Sequence, residues 1–91
     1  MTTQKKEEIL TWNTRRPYSE HGQRMAATKL QNGKVAFVDI DRGLSYTTTK
    51  VCPGPVTQAF VMGCYDNNDT ERLSPHLIYP EDLEAAARKL P

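Results

Sequence analysis

The chain has 91 residues, 37% apolar and 25% charged, with 12 Lys or Arg against 11 Asp or Glu for a net charge of +1. These proportions describe one globular domain and exclude a disordered chain, while the near-neutral balance excludes nucleic-acid binding by bulk charge alone. The longest apolar run, Ala59 to Met62, is too short to span a bilayer, and no apolar stretch of signal-peptide length follows Lys5 and Lys6, so a cytoplasmic protein without membrane association is expected.

Residues 1–6 are polar and are expected to form a disordered tail ahead of a single small α+β domain over residues 7–91. Ile9, Leu10 and Trp12 supply the first apolar group, too short for periodicity to separate helix from strand. Asn13 to His21 is polar, with Pro17 after two arginines, and reads as a loop exposing Arg15, Arg16 and Tyr18.

The strongest local signal follows. Asn32-Gly33 sits between two apolar stretches, the pattern of a β-hairpin closed by a type I′ turn in which both central residues take φ > 0. A two-residue turn sets Leu30 opposite Val35, Thr28 opposite Phe37, Ala27 opposite Val38, Met25 opposite Ile40 and Arg24 opposite Asp41. The second strand, Lys34 to Asp41, carries Val35 and Phe37 on one face and Ala36, Val38 and Ile40 on the other, so it is expected to be central and covered on both sides.

Asp41-Arg42-Gly43 turns the chain. Leu44 to Val51, rich in β-branched and aromatic types, suits a third strand with one wet face. Cys52-Pro53-Gly54-Pro55 reads as a rigid turn, and Val56 to Tyr65 as a fourth strand in which Gly63 marks either a bulge or a close backbone approach. Asp66 to Asp69 has loop composition, and Leu77-Ile78-Tyr79 between Pro75 and Pro80 reads as an edge strand.

The last element is a helix. Pro80 fits its first position, Glu81, Asp82 and Glu84 lie at the positive end of its dipole, and Arg88 and Lys89 lie at the negative end. Glu84 and Arg88 are spaced for an i, i+4 pair, and Leu83, Ala86, Ala87 and Leu90 form the apolar stripe. The expected architecture is α+β: a small curved antiparallel β-sheet of four to five strands in meander order with a C-terminal α-helix, closure into an SH3-like or OB-like barrel being left open.

The charge is uneven. Residues 1–34 hold seven Lys or Arg against three Glu, a balance of +4, and residues 35–91 hold five against eight acids, a balance of −3. This fits either a basic binding arm or two halves whose surfaces complement each other. From Trp12 to Arg24 aromatics alternate with arginines, the mixture that stacks on bases or peptide groups while guanidiniums hold phosphates or carboxylates. Its simpler reading is Trp12 in the core, Tyr18 packed on the hairpin, and arginines that are solvated or paired with the acidic half.

Asp39 and Asp41 place two carboxylates on one predicted strand face, as divalent-cation sites sometimes do, although Arg24 opposite Asp41 points to a cross-strand ion pair. His21 and His76 have the chemistry for acid–base cleavage of RNA, but nothing places them together. Cys52 and Cys64 lack zinc-site spacing and are expected as free thiols in a reducing compartment, with a bridge between them left open. No nucleophile elbow, phosphate loop or metalloprotease helix is present, so neither an enzyme nor a cofactor is expected.

The segments Arg16 to Met25 and Asn32 to Gly43 resemble short uncharacterised proteins of phages, prophages and other mobile elements, over less than half of the chain. The resemblance implies a small accessory protein that binds a host or element-encoded partner, inhibition of a bacterial defence system being one such role. It carries no defined functional residue. The expected function is therefore non-enzymatic binding of a protein partner through Arg15, Arg16, Tyr18, Arg24 and Tyr46. The alternative is a nucleic-acid-binding small β-barrel domain using the arm 12–24, and monomer and homodimer both stay open.

Overall fold

The computed structural model describes residues 9–14, 22–73 and 81–90. Its strands are β1 (Leu10–Thr14), β2 (Gln23–Lys29), β3 (Val35–Asp39), β4 (Leu44–Thr48) and β5 (Thr70–Arg72), and its helices α1 (Gln58–Asp66) and α2 (Glu81–Arg88). The five strands form one antiparallel sheet in the order of the chain, with β1 and β5 at its edges. Ile9 and Leu10, ambiguous in sequence, lead into a strand.

β3 is apolar on both faces and is buried throughout, as its sequence requires. Trp12, Met25, Ala27, Val35 and Phe37 pack with Cys52 and Val61 on the α1 side. Ala26, Ala36 and Val38 pack with Leu83 and Ala87 on the α2 side. Helices on both faces give three layers, so the sheet has no need to curl on itself: among the described residues β1 and β5 do not pair and no barrel closes. Each fully buried aliphatic such as Leu83 contributes roughly 1.5–3 kcal/mol of transfer free energy to this arrangement.

The hairpin is shifted by one residue from the two-residue-turn register. Lys29 pairs with Val35, Thr28 with Ala36, Ala27 with Phe37, Ala26 with Val38 and Met25 with Asp39. The cause is the turn. Only Gly33, at φ +89°, is left-handed, so three residues form the loop, with Gly33 N–H donating to Leu30 O (2.9 Å) and Leu30 N–H to Lys34 O (2.7 Å). Arg24 still meets Asp41, because Ile40–Arg42 leaves the strand as a 3₁₀ turn.

Residues 56–65 are the principal correction: they do not form a fourth strand but lead into and form helix α1. Thr57, in extended conformation, caps it by accepting the Phe60 N–H at 3.1 Å. Val61 and Cys64, three residues apart, supply the buried side. The helix ends in a Schellman turn: Asn68 is left-handed (φ 61°), Asp69 N–H donates to Cys64 O (2.8 Å) and Asn68 N–H to Tyr65 O (3.4 Å). That turn feeds β5, so the strand beside β4 is Thr70–Arg72. The edge strand expected at Leu77–Tyr79 lies outside the described residues, as do the tail 1–6, His21, His76 and Pro80. In α2, Arg88 meets Glu84 at 3.2 Å, and Leu83 and Ala87 are the buried stripe. Among the described residues no helix is long and apolar enough to cross a membrane.

Candidate functional site

Strand alternation sends Phe37, Tyr46 and Arg72, paired in register across three strands, to the α1 face. There Tyr65 of α1 completes an aromatic cluster. Ring centroids are 5.7 Å apart for Phe37 and Tyr46, 5.4 Å for Phe37 and Tyr65, and 5.4 Å for Tyr46 and Tyr65. Phe37 is fully buried, while Tyr46 and Tyr65 keep part of their surface in solvent. Phe60 and Met62, also partly exposed, pack against the same core from α1.

Below the tyrosines lies a polar cluster. The Asp39 carboxylate is fully buried, and its Oδ2 accepts from Gln23 Nε2 (3.0 Å) and Tyr65 Oη (3.1 Å). Burial pushes the Tyr65 phenol above its ordinary range, with Asp39 adding to the shift and Arg42 opposing it. Arg42, whose side chain is 54% exposed, stands 3.8 Å from Asp39 Oδ2, an ion pair but not a hydrogen bond. Asp39 Oδ1, Gln23 Oε1 and Trp12 Nε1 are buried without hydrogen-bond partners among the described residues.

Arg72 is exposed beside Tyr46 and has no ion-pair partner among the described residues. The result is an aromatic floor with a guanidinium at each margin, the residue types that dominate protein interfaces. The described residues hold no group of three metal-ligating side chains. Cys52 and Cys64 are buried free thiols, and burial, with Asp69 secondarily, pushes the Cys64 thiol up.

Of the residues expected from sequence, the two that are described, Arg24 and Tyr46, lie on opposite faces of the sheet. Arg15, Arg16 and Tyr18 lie outside the described residues. Arg24 is on the α2 face, opposite Tyr46. Its Nε and Nη2 bind Asp41 (3.1 and 2.8 Å), and its Nη1 approaches Leu90 O (3.4 Å) at the end of α2. The hydrogen bond to Asp41 holds this guanidinium above its ordinary value. Trp12 is a core residue, 8% exposed.

Asp39 and Asp41 do not share a strand face, because the 3₁₀ turn sends Asp41 to Arg24 while Asp39 stays beneath Tyr65. Tyr65, Arg42 and Arg72 were not singled out by sequence. In sequence Tyr65 falls in an apolar run that favours a strand, Arg42 reads as an ordinary turn residue, and Thr-Glu-Arg is too short to announce β5. Comparison with protein-family models, curated proteins and solved structures finds no match to this chain.

Proposed function

We propose that this is a non-enzymatic binding protein that docks on a protein partner through the Tyr46–Tyr65 surface, with Arg42 and Arg72 at its margins. The observation that carries this reading is the partly exposed tyrosine pair, packed on Phe37 and held by the Tyr65–Asp39 hydrogen bond, so that little rotamer freedom is lost on binding. Arg15, Arg16 and Tyr18 belong to the proposal as a second contact group. The resemblance to small phage and mobile-element proteins supports a host or element-encoded partner, and inhibition of a defence system is one form such binding would take.

The test is affinity capture from bacterial lysate with and without nuclease, repeated with Tyr46→Ala and with Arg15→Ala, Arg16→Ala and Tyr18→Ala together. A stoichiometric protein that survives nuclease and is lost with Tyr46→Ala supports the reading. Material lost on nuclease treatment, with affinity falling steeply in salt, would replace it with nucleic-acid binding.

A further inference from the structure

We infer that the segment docking on this surface is an extended, acidic stretch of the partner that adds as a strand to the outer edge of β5. This rests on the reading of the Tyr46–Tyr65 surface as a protein-binding site. The edge is defined by backbone geometry. Leu73 N–H donates to Ser45 O at 3.3 Å and Thr49 N–H to Asp69 O at 2.9 Å. In an antiparallel ladder the direction alternates, so Asp69, Glu71 and Leu73 face β4 while Thr70 and Arg72 turn their N–H and C=O groups outward. Among the described residues β5 is the last strand of the sheet and no strand pairs with its outer edge.

A second copy of this chain is a poor occupant. Antiparallel self-pairing through Thr70 and Arg72 sets Glu71 directly against its own copy, and the next register sets Arg72 against Arg72, so either way like charges oppose each other. An acidic strand fits better. A residue facing Arg72 on the α1 side would meet a guanidinium that has no other anion among the described residues. Where that strand runs past Arg72 toward the Leu44 end of the sheet, a second acid would reach Arg42, which Asp39 holds at 3.8 Å without a hydrogen bond. Apolar groups between the two acids would rest on Tyr46 and Tyr65. Backbone bonds supply affinity in such strand addition, and alternate side chains supply specificity.

The test uses the full chain, immobilised, and a display library of random linear dodecapeptides. Enriched peptides are expected to carry two or more acidic residues. Their affinity should fall roughly tenfold or more with each charge reversal, Arg72→Glu and Arg42→Glu, both at exposed positions and each checked for a parent-like fold by circular dichroism. Replacing the acid that faces position 72 by lysine should restore binding to Arg72→Glu. Peptides without acids, or no enrichment, would overturn the acidic-strand inference. If such non-acidic peptides still lose binding with Tyr46→Ala, the docking surface stands. If they are indifferent to both Tyr46→Ala and Tyr65→Ala, the surface itself is wrong. Tighter binding of an oligothymidylate than of the acidic peptides, lost with the same reversals, would also overturn the inference in favour of nucleic acid.

Discussion

Substitution of Asp39 separates charge from shape at the centre of the polar cluster. The carboxylate is fully buried, and among the described residues one oxygen accepts two hydrogen bonds and the other accepts none. Asp39→Asn keeps an oxygen toward Gln23 and Tyr65 and removes the buried negative charge from the Oδ1 position, which has no hydrogen-bond partner among the described residues. Relief of an unsatisfied buried charged acceptor is worth about 1–3 kcal/mol, and two bonds losing their charge assistance return a similar amount. Arg42 changes this little, because an ion pair so exposed on one side contributes about 0–1 kcal/mol.

Asp39→Asn is therefore expected within about 1 kcal/mol of the parent protein, whereas Asp39→Ala, which strands the Gln23 and Tyr65 donors, should cost about 2–4 kcal/mol. Urea unfolding followed by the fluorescence of Trp12, the single tryptophan, measures both. A loss above about 2 kcal/mol for Asp39→Asn would refute the reasoning and show that the charge itself is needed.

Leu83→Ala, at the fully buried anchor of α2, should cost about 2–5 kcal/mol by the same assay, a large share of what a domain of this size possesses. Gly33→Ala should destabilise by about 1–2 kcal/mol, since φ is +89° and the new Cβ would sit 2.8 Å from Val51 Cγ1. Gly63→Ala, inside α1 with nothing within 4 Å of the new Cβ, should instead stabilise by about 0.5–1 kcal/mol.

Stability should also decline in alkali. Tyr65 and Cys64 both have raised folded-state pKa values, so the folded chain binds their protons more tightly than the unfolded chain. Their contribution is complete below the ordinary values and is lost as pH rises through them and beyond, so the urea midpoint should be lower at about pH 10.5 than at about pH 8. Tyr65→Phe should flatten that decline, and an unchanged or rising midpoint in the parent would contradict the two shifts.

The elements legible in sequence are those in which one local rule sufficed. The two-sided apolar pattern of Val35 to Ile40 announced a central strand, and the charge gradient and stripe of Glu81 to Leu90 announced a helix. The hairpin was legible, but its register was not, because Asn32 and Gly33 both tolerate φ > 0 and only Gly33 adopts it. Helix α1 was hidden by its composition: Phe60, Val61, Met62, Cys64 and Tyr65 surround the axis, so no periodicity emerges and β-branched and aromatic types favour a strand. Thr57 ahead of it was an available N-cap signal. The Tyr46–Tyr65 pair was illegible for that reason, since it exists only once α1 lies across β4. Arg24 shows the converse. Its pairing with Asp41 was legible, and that pairing places its guanidinium on the α2 face, away from Tyr46.

Amide hydrogen exchange of the full chain, with and without the protein recovered by nuclease-resistant capture, tests the central claim most directly. The account predicts added protection over residues 44–48, 58–66 and 70–72, with the α2 face unchanged. Protection confined to residues 81–90 and the Arg24–Asp41 side, or no change in the β4, α1 and β5 segments, would contradict it.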